Sequence, residues 1–496
     1  MDQKQKVGSA HYRKVDGAYF EKRVLKKYAR AFHLWALGVG AVISGDFFGW
    51  NFGLSAAGFG GMLFATVVIT ALYVGLCFSI AEMAAALPHT GGAYSFSRSS
   101  MGPWGGYITG LAENMEYILT PAVIVAGIGG YLTAVFGTPE AWKPFWWIGV
   151  YIIFIGLNIW GVELSFKFSV FITFLALLIL AVFYVGAIGH FSFTENALNI
   201  VPDPGESQWF PKGKLAIFSA LPFAMWFYLA IEQLPLAAEE AHDPQKDMPK
   251  GILLGLGTLI VLSFLTLFLN TGIAPGAEEL GKTDEPLFEG FKTIFGSGLS
   301  SKLLALIAVA GLVASFHTII YAYGRQIYSL SRAGYFPEFL SLTHGKRQTP
   351  HVALIVGGLI GLAATFVIHY SSQGSGSSVG AALLNMAVFG AVISYCLQMV
   401  AYLILKYSAP DIERPYKSPF GAFGAWTALL ISAVTLVALF LEVSYRSAVI
   451  GAAIWFILGV VYFGIHGRKG LILAPEEEFA LERSKSKPGR TEDAAD

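Results

Sequence analysis

An aspartate in the middle of an apolar run is the first residue here whose type and place suggest chemistry. Asp46 lies in the stretch LGVGAVISGDFFGW, residues 37–50, together with Gly38, Gly40, Gly45 and Gly49. A carboxylate at the centre of a lipid-spanning helix costs roughly 2.5–3.5 kcal/mol on insertion scales, where leucine would be favourable. Four glycines also loosen helical order. Broken helix is tolerated in a membrane only where the freed backbone lines protein or water. Ser44, Gly45 and Asp46, with Phe47 beside them, therefore read as an unwound break that faces a binding site. A close-packed seam of small residues accounts for Gly38 and Gly40 but leaves Asp46 without a purpose.

Other polar residues share that setting. Glu113 and Glu116 are three apart and lie on one helix face. Either could complete a site, carry a proton, or be a buried carboxyl satisfied by neighbouring groups. Glu232 closes the run FAMWFYLAIE, residues 223–232. Its Trp226, Phe227 and Tyr228 offer an aromatic wall suited to a small cation, or simply pack. His317, also inside an apolar run, could titrate or serve structure. Cys77 and Cys396, the two cysteines, sit in apolar runs and read as packing residues. GAEELGKT at 276–283 matches a phosphate-loop pattern, but no strand precedes it and its two glutamates would repel phosphate. GSSVG at 376–380 matches a nucleophile elbow but lies in a Gly/Ser-rich loop. No nucleophile or metal constellation remains, so the sequence reads as that of no enzyme and calls for no cofactor or metal.

These residues must be positioned by membrane helices. The chain of 496 residues is 55% hydrophobic and 13% charged, which describes a polytopic membrane protein and not a soluble one. Its net charge of zero gives no reason to expect nucleic acid as a partner. Twelve segments are apolar over about 20 residues: roughly 34–58, 63–87, 104–136, 144–162, 168–189, 215–237, 251–274, 302–324, 352–370, 380–405, 424–442 and 447–466. An even number of spans puts both termini on one side. With the termini inside, 26 of the 33 Lys and Arg face the cytoplasm and seven face out, which favours that orientation. Residues 1–33 hold nine of the basic residues, and no short apolar core with a cleavage site precedes the first span, so a removable signal peptide is not expected. The charged tail after Arg468 reads as disordered. A cysteine placed at Ser375 should react with an impermeant thiol reagent from outside intact cells, and one at Ser484 should not; the reverse pattern would overturn the orientation.

Four stretches recur at the inner ends of the spans. They are EMAAALPHTGGAY at 82–94 after span two, AAEEAHDPQKDMP at 237–249 after span six, Arg325 with SRAGYFP at 331–337 after span eight, and RPYKSP at 414–419 after span ten. Together they resemble the amino acid–polyamine–organocation permease superfamily, over residues 30–466. Ala333 departs from that pattern, where the family commonly has Asp. The resemblance implies an all-α fold of 12 transmembrane helices. A ten-helix core of two inverted five-helix repeats, about 34–189 and 215–405, would be followed by two extra helices at 406–466 and a cytoplasmic tail at 467–496. Spans one and six would be broken at the midplane around the substrate. Ala230 falls where the family usually has the glycine of the span-six break, and Glu232 at a gating or proton-sensitive position. Glu116 is a second such candidate. Some relatives carry a lysine on span five that acts in place of sodium; residues 168–189 contain none.

In permeases of this fold the backbone of the span-one break meets the substrate carboxylate. Asp46 would repel a carboxylate and pair instead with an ammonium. SGDFFG and SFHTIIYAYG, at 44–49 and 315–324, look like the ethanolamine permease branch. The reading is therefore a secondary active transporter for a small amine in the bacterial inner membrane. Its site would comprise Ser44, Gly45, Asp46, Phe47, Glu113, Trp226, Phe227, Tyr228, Ala230 and His317, with protons as a coupling ion. A neutral amino-acid or polyamine permease is the alternative. A nutrient sensor, which would usually add a signalling domain, is less expected.

Overall fold

The chain is seen in a computed structural model that describes residues 4–7, 10–89, 91–372, 379–441, 445–474, 477–478 and 480. Ser375, Ser484 and residues 376–378 of the elbow look-alike lie outside them. Twelve helices carry the fold: α1 (Ala31–Val42), α2 (Phe52–Ala86), α3 (Gly92–Phe136), α4 (Lys143–Trp160), α5 (Val162–Ile188), α6 (Ile217–Met225), α7 (Pro244–Thr271), α8 (Leu299–Arg332), α9 (His351–Ser372), α10 (Val379–Ser408), α11 (Gly421–Leu441) and α12 (Arg446–Ile465). Among the described residues nine helices are long and apolar enough to cross a membrane, and three shorter apolar ones, Ala31–Phe47, Lys214–Met225 and His351–Val367, stand in the places of spans one, six and nine. The protein is a multi-pass, mostly helical membrane protein.

Spans one and six are short because each stops inside the protein. After α1 a single helical turn, Ser44–Phe47, follows, and then Phe48 is extended. Gly49 has φ +101°, a conformation that admits glycine without strain. After α6 the chain turns through residues 226–230, and Ala230 takes φ +80° before the tight helix Ile231–Glu240. A left-handed alanine is disfavoured by roughly 1–2 kcal/mol. It holds here because the residue is fully buried.

The four recurring stretches are tied two by two by ion pairs at the helix ends. Glu82 at the end of α2 accepts from Arg414 (2.6 Å), Tyr402 (2.8 Å) and the Ser418 backbone N–H (2.9 Å). Arg325 of α8 pairs with Glu240 at 2.9 Å, both side chains fully buried, while its guanidinium lies over the Tyr321 ring. Arg332 grips Glu239 through both terminal nitrogens, at 2.9 and 2.7 Å. These residues clamp the ends of spans two, six, eight and ten.

The tail is not wholly disordered, contrary to expectation. Strand β1 (Lys4–Val7) pairs antiparallel with β2 (Ala10–Arg13), and β2 pairs parallel with β3 (Leu471–Ile472). Beyond β3, Glu477 is fully buried. It accepts hydrogen bonds from Tyr12 (2.8 Å), Tyr94 (2.9 Å) and Tyr335 (2.9 Å), and forms a 2.6 Å ion pair with Arg98. Leu471, Ile472 and Ala474 are buried beside it. A few apolar residues and one carboxylate suffice because their partners sit preformed on α3, β2 and the segment after α8.

Candidate functional site

The two interruptions meet. A Cβ on Gly45 would lie 2.1 Å from the Trp226 carbonyl oxygen, so only a bare backbone permits this approach. The Trp226 ring packs against Gly49, and Phe227 stacks on Trp50 with ring centroids 5.5 Å apart. Tyr228 turns toward α2 and α7, where its hydroxyl meets Thr70 and Ser263, each at 2.7 Å. All three aromatics are buried.

The Ser44–Phe47 segment is a helical turn and not the unwound break expected; the non-helical backbone comes one residue later, from Phe48. Four backbone donors of residues 44–49 are engaged. Ser44 N–H bonds Ser315 Oγ (2.9 Å), Asp46 N–H bonds Ile43 O (3.0 Å), Phe48 N–H bonds Ser44 O (2.9 Å), and Gly49 N–H bonds Asn51 Oδ1 (3.1 Å). Tyr131 donates to the Phe47 carbonyl at 2.9 Å.

Asp46 is fully buried. Its Oδ1 accepts from Thr266 on α7 at 2.8 Å, and Thr266 in turn meets the Tyr184 hydroxyl of α5 at 2.7 Å. Among the described residues Oδ2 has no hydrogen-bond partner. A buried carboxylate oxygen left open in this way is a strong acceptor without a donor.

The remaining carboxyls form a second cluster. Glu113 accepts from Gln326 of α8 (2.7 Å) and from Tyr117 (3.3 Å); Tyr117 also reaches Glu232, at 3.4 Å. The Glu116 carboxyl has no donor among the described protein groups and lies against Glu232. Two adjoining acids of this kind can hold one proton between them. Tyr395 contacts Glu232 and meets Tyr73 at 3.0 Å, and the Tyr73 ring lies 5.1 Å from Tyr228. The cluster is thus linked to the aromatic lining of span six. Glu113, expected beside Asp46, belongs to this second cluster.

His317 belongs to neither cluster. Its Nδ1 meets Asn158 (3.1 Å), its Nε2 meets Ser165 Oγ (3.0 Å), and the Phe154 and Phe168 rings enclose it. Both of its ring nitrogens are thus occupied between α4 and α5. Span eight touches the interruption through Ser315 instead, which also donates to Gly40 O at 2.8 Å. Sequence reasoning missed Thr266, Tyr184, Gln326 and Ser315. One signal was present: Ser263, Thr266 and Asn270 recur at helical spacing along a mostly apolar span.

The phosphate-loop look-alike forms part of a cap over the interruption. Lys282 pairs with its own Glu278 (3.2 Å) and Glu279 (3.0 Å), and Asn51 donates to the carbonyls of Leu280 (2.6 Å) and Thr283 (2.9 Å). The Glu285 carboxyl in this cap is pushed up to about 7 by burial first, then by Asp284 and Glu289. Ionisation is therefore resisted in the packed cap. The packing is fullest below the ordinary value of 4.5 and weakens as pH rises from there to about 7. Exchange protection of amides 287–290, corrected for intrinsic rates, should fall over this range in the wild type and stay flat in Glu285→Gln. Parallel curves would remove Glu285 as the cause.

A groove of about 550 Å³ on the flank of α6 and α11 is lined by Phe218, Leu430, Val434 and Val437. All four are well exposed and suited to lipid tails. It is remote in character from the polar site.

Comparison with known proteins agrees with this architecture. Residues 33–472 match the family described as amino acid permease. An uncharacterised transporter of Rhizobium meliloti is 28% identical over 90% of this chain and 93% of its own length. The branched-chain amino acid permease BcaP of Bacillus subtilis is 24% identical, covering 90% and 94%. The D-serine/D-alanine/glycine transporter of Escherichia coli K12 is 22% identical, covering 74% and 79%.

Proposed function

We propose that this chain, which belongs to the amino acid permease family, is a secondary active transporter for a small amine, with ethanolamine the first candidate. The observation that carries the reading is an imbalance at the span-one interruption. The N–H groups of Ser44, Asp46, Phe48 and Gly49 are engaged, while Asp46 Oδ2 is open. A substrate carboxylate would need those donors and would be repelled by the aspartate. An ammonium needs an acceptor, and its hydroxyl-bearing arm can lie along Trp226 and Trp50, whose indole N–H groups are buried without partners among the described residues. The paired interruptions suit alternating access about a fixed central site. A bacterial inner membrane with both termini cytoplasmic completes the proposal.

Protons are the proposed coupling ion. Glu113, Glu116 and Glu232 gather in one buried network with no cation among their hydrogen-bond partners in the described residues. Such a network can take up and release a proton as the helices move. The names of the relatives favour a second reading, a neutral amino-acid permease. A polyamine would need a further carboxylate near Asp46, and Glu113 is engaged elsewhere.

Proteoliposomes decide among these. Radiolabelled ethanolamine should accumulate, excess serine should not compete, and an inward proton gradient should drive uptake with sodium replaced by potassium. Serine uptake equal to that of ethanolamine would sink the amine reading. Transport that vanished without sodium at constant pH would sink the coupling.

A further inference from the structure

The end of α4, the start of α5, the N-terminal segment and the loop between α8 and α9 enclose a pocket of about 430 Å³. Lys26, Lys167, Lys346 and Arg347 line it with a single carboxylate, Glu163. That carboxylate is divided between Lys167, at 2.9 Å, and Lys26, at 3.7 Å. Among the described residues Lys346 and Arg347 have no acidic partner. The pocket therefore carries an excess of positive charge that transport does not use.

Its construction is specific. The Arg347 guanidinium lies over the Trp160 ring, 4.7 Å from the centroid, which fixes both groups. Thr349 donates to the Ile159 carbonyl at 2.9 Å, tying the α8–α9 loop to the end of α4. One rim is apolar: Trp160 and Leu164 line it and are exposed, and the outward face of α4 continues this surface through Ile152 and Ile153. A tryptophan at the end of a membrane helix marks the headgroup level of a bilayer. Cations at that level beside an apolar wall offer a place for a phosphate and, next to it, for acyl chains.

We propose that this pocket binds the headgroup of an anionic phospholipid, with Lys346 and Arg347 on the phosphate and Trp160 at the glycerol level. Free phosphate would satisfy the cations but would leave the apolar rim uncovered; the rim selects the lipid. Basic pockets of this kind on the cytoplasmic side of membrane proteins hold such headgroups, each cation contributing about a fivefold gain in affinity.

The test uses the full-length protein in neutral detergent and reads thermal stability, so it is independent of which substrate is carried. Short-chain phosphatidylglycerol should raise the melting temperature, and the matching phosphatidylcholine should not. Lys346→Gln/Arg347→Gln should weaken the response to phosphatidylglycerol about 25-fold, and Lys346→Gln alone about fivefold. A control with the same charge change at another place, Lys214→Gln/Lys302→Gln, should respond like the wild type. Equal stabilisation by phosphatidylcholine, equal weakening in the control, or equal stabilisation by inorganic phosphate would overturn the lipid site.

Discussion

Asp46→Asn should lower ethanolamine affinity by about two to four decades. The expectation rests on the loss of one member of a buried charge pair, roughly 3–5 kcal/mol. Asparagine is nearly isosteric, and its carbonyl can still accept from Thr266, which bonds Asp46 Oδ1 at 2.8 Å. The loss therefore reports charge and not a collapsed site. Asp46→Glu keeps the charge and displaces it, so it should be milder. Asp46→Gly should do more than lose the amine: it removes the repulsion of a carboxylate, so serine or alanine should begin to compete. Competition by ethanolamine and by serine, measured on the wild type and the three variants, checks all of this. Near-normal ethanolamine affinity in Asp46→Asn, or equal competition by serine in the wild type, would show that Asp46 is not the counter-charge of the amine.

Glu477→Ala should release the C-terminal segment. The change leaves the Arg98 side chain, 6% exposed, without its ion pair, and leaves the Tyr12, Tyr94 and Tyr335 hydroxyls without their acceptor. Breaking a buried pair from one side costs roughly 3–5 kcal/mol. The released form should then gain about two to four decades in population. Limited proteolysis should cut residues 471–480 far faster in Glu477→Ala than in the wild type. Adding Arg98→Ala should restore part of the protection, because the double variant no longer buries a lone cation. Unchanged cleavage in Glu477→Ala would show that this pair does not hold the tail. Full additivity of the two changes would show that they do not act through each other.

Much of this protein was legible in one dimension, for a physical reason. Lipid demands long apolar helices, so apolar segments are legible from hydropathy alone, and two of them end early, at Val42 and Met225, just before Asp46 and the Trp226–Ala230 turn. Lipid also makes every charge within a span expensive, so Asp46, Glu113, Glu116 and Glu232 stand out by type and depth. Helical spacing further places Glu113 and Glu116 on one face. Periodicity names a face but not the neighbour it meets. Glu232 joins that face through a turn held by a left-handed Ala230, which no spacing rule foresees. His317 has the residue type of a site member, yet its face is turned to Asn158 and Ser165. Thr266 reaches Asp46 across 220 positions of sequence, and Glu477 reaches Arg98 across 379. The sequence by itself determined the polytopic membrane class and the carboxylates that needed an explanation. Only the tertiary structure decided which of them is open, which are paired with each other, and that the charged tail is docked, because those outcomes depend on which helix faces pack together and not on the order of residues along any one of them.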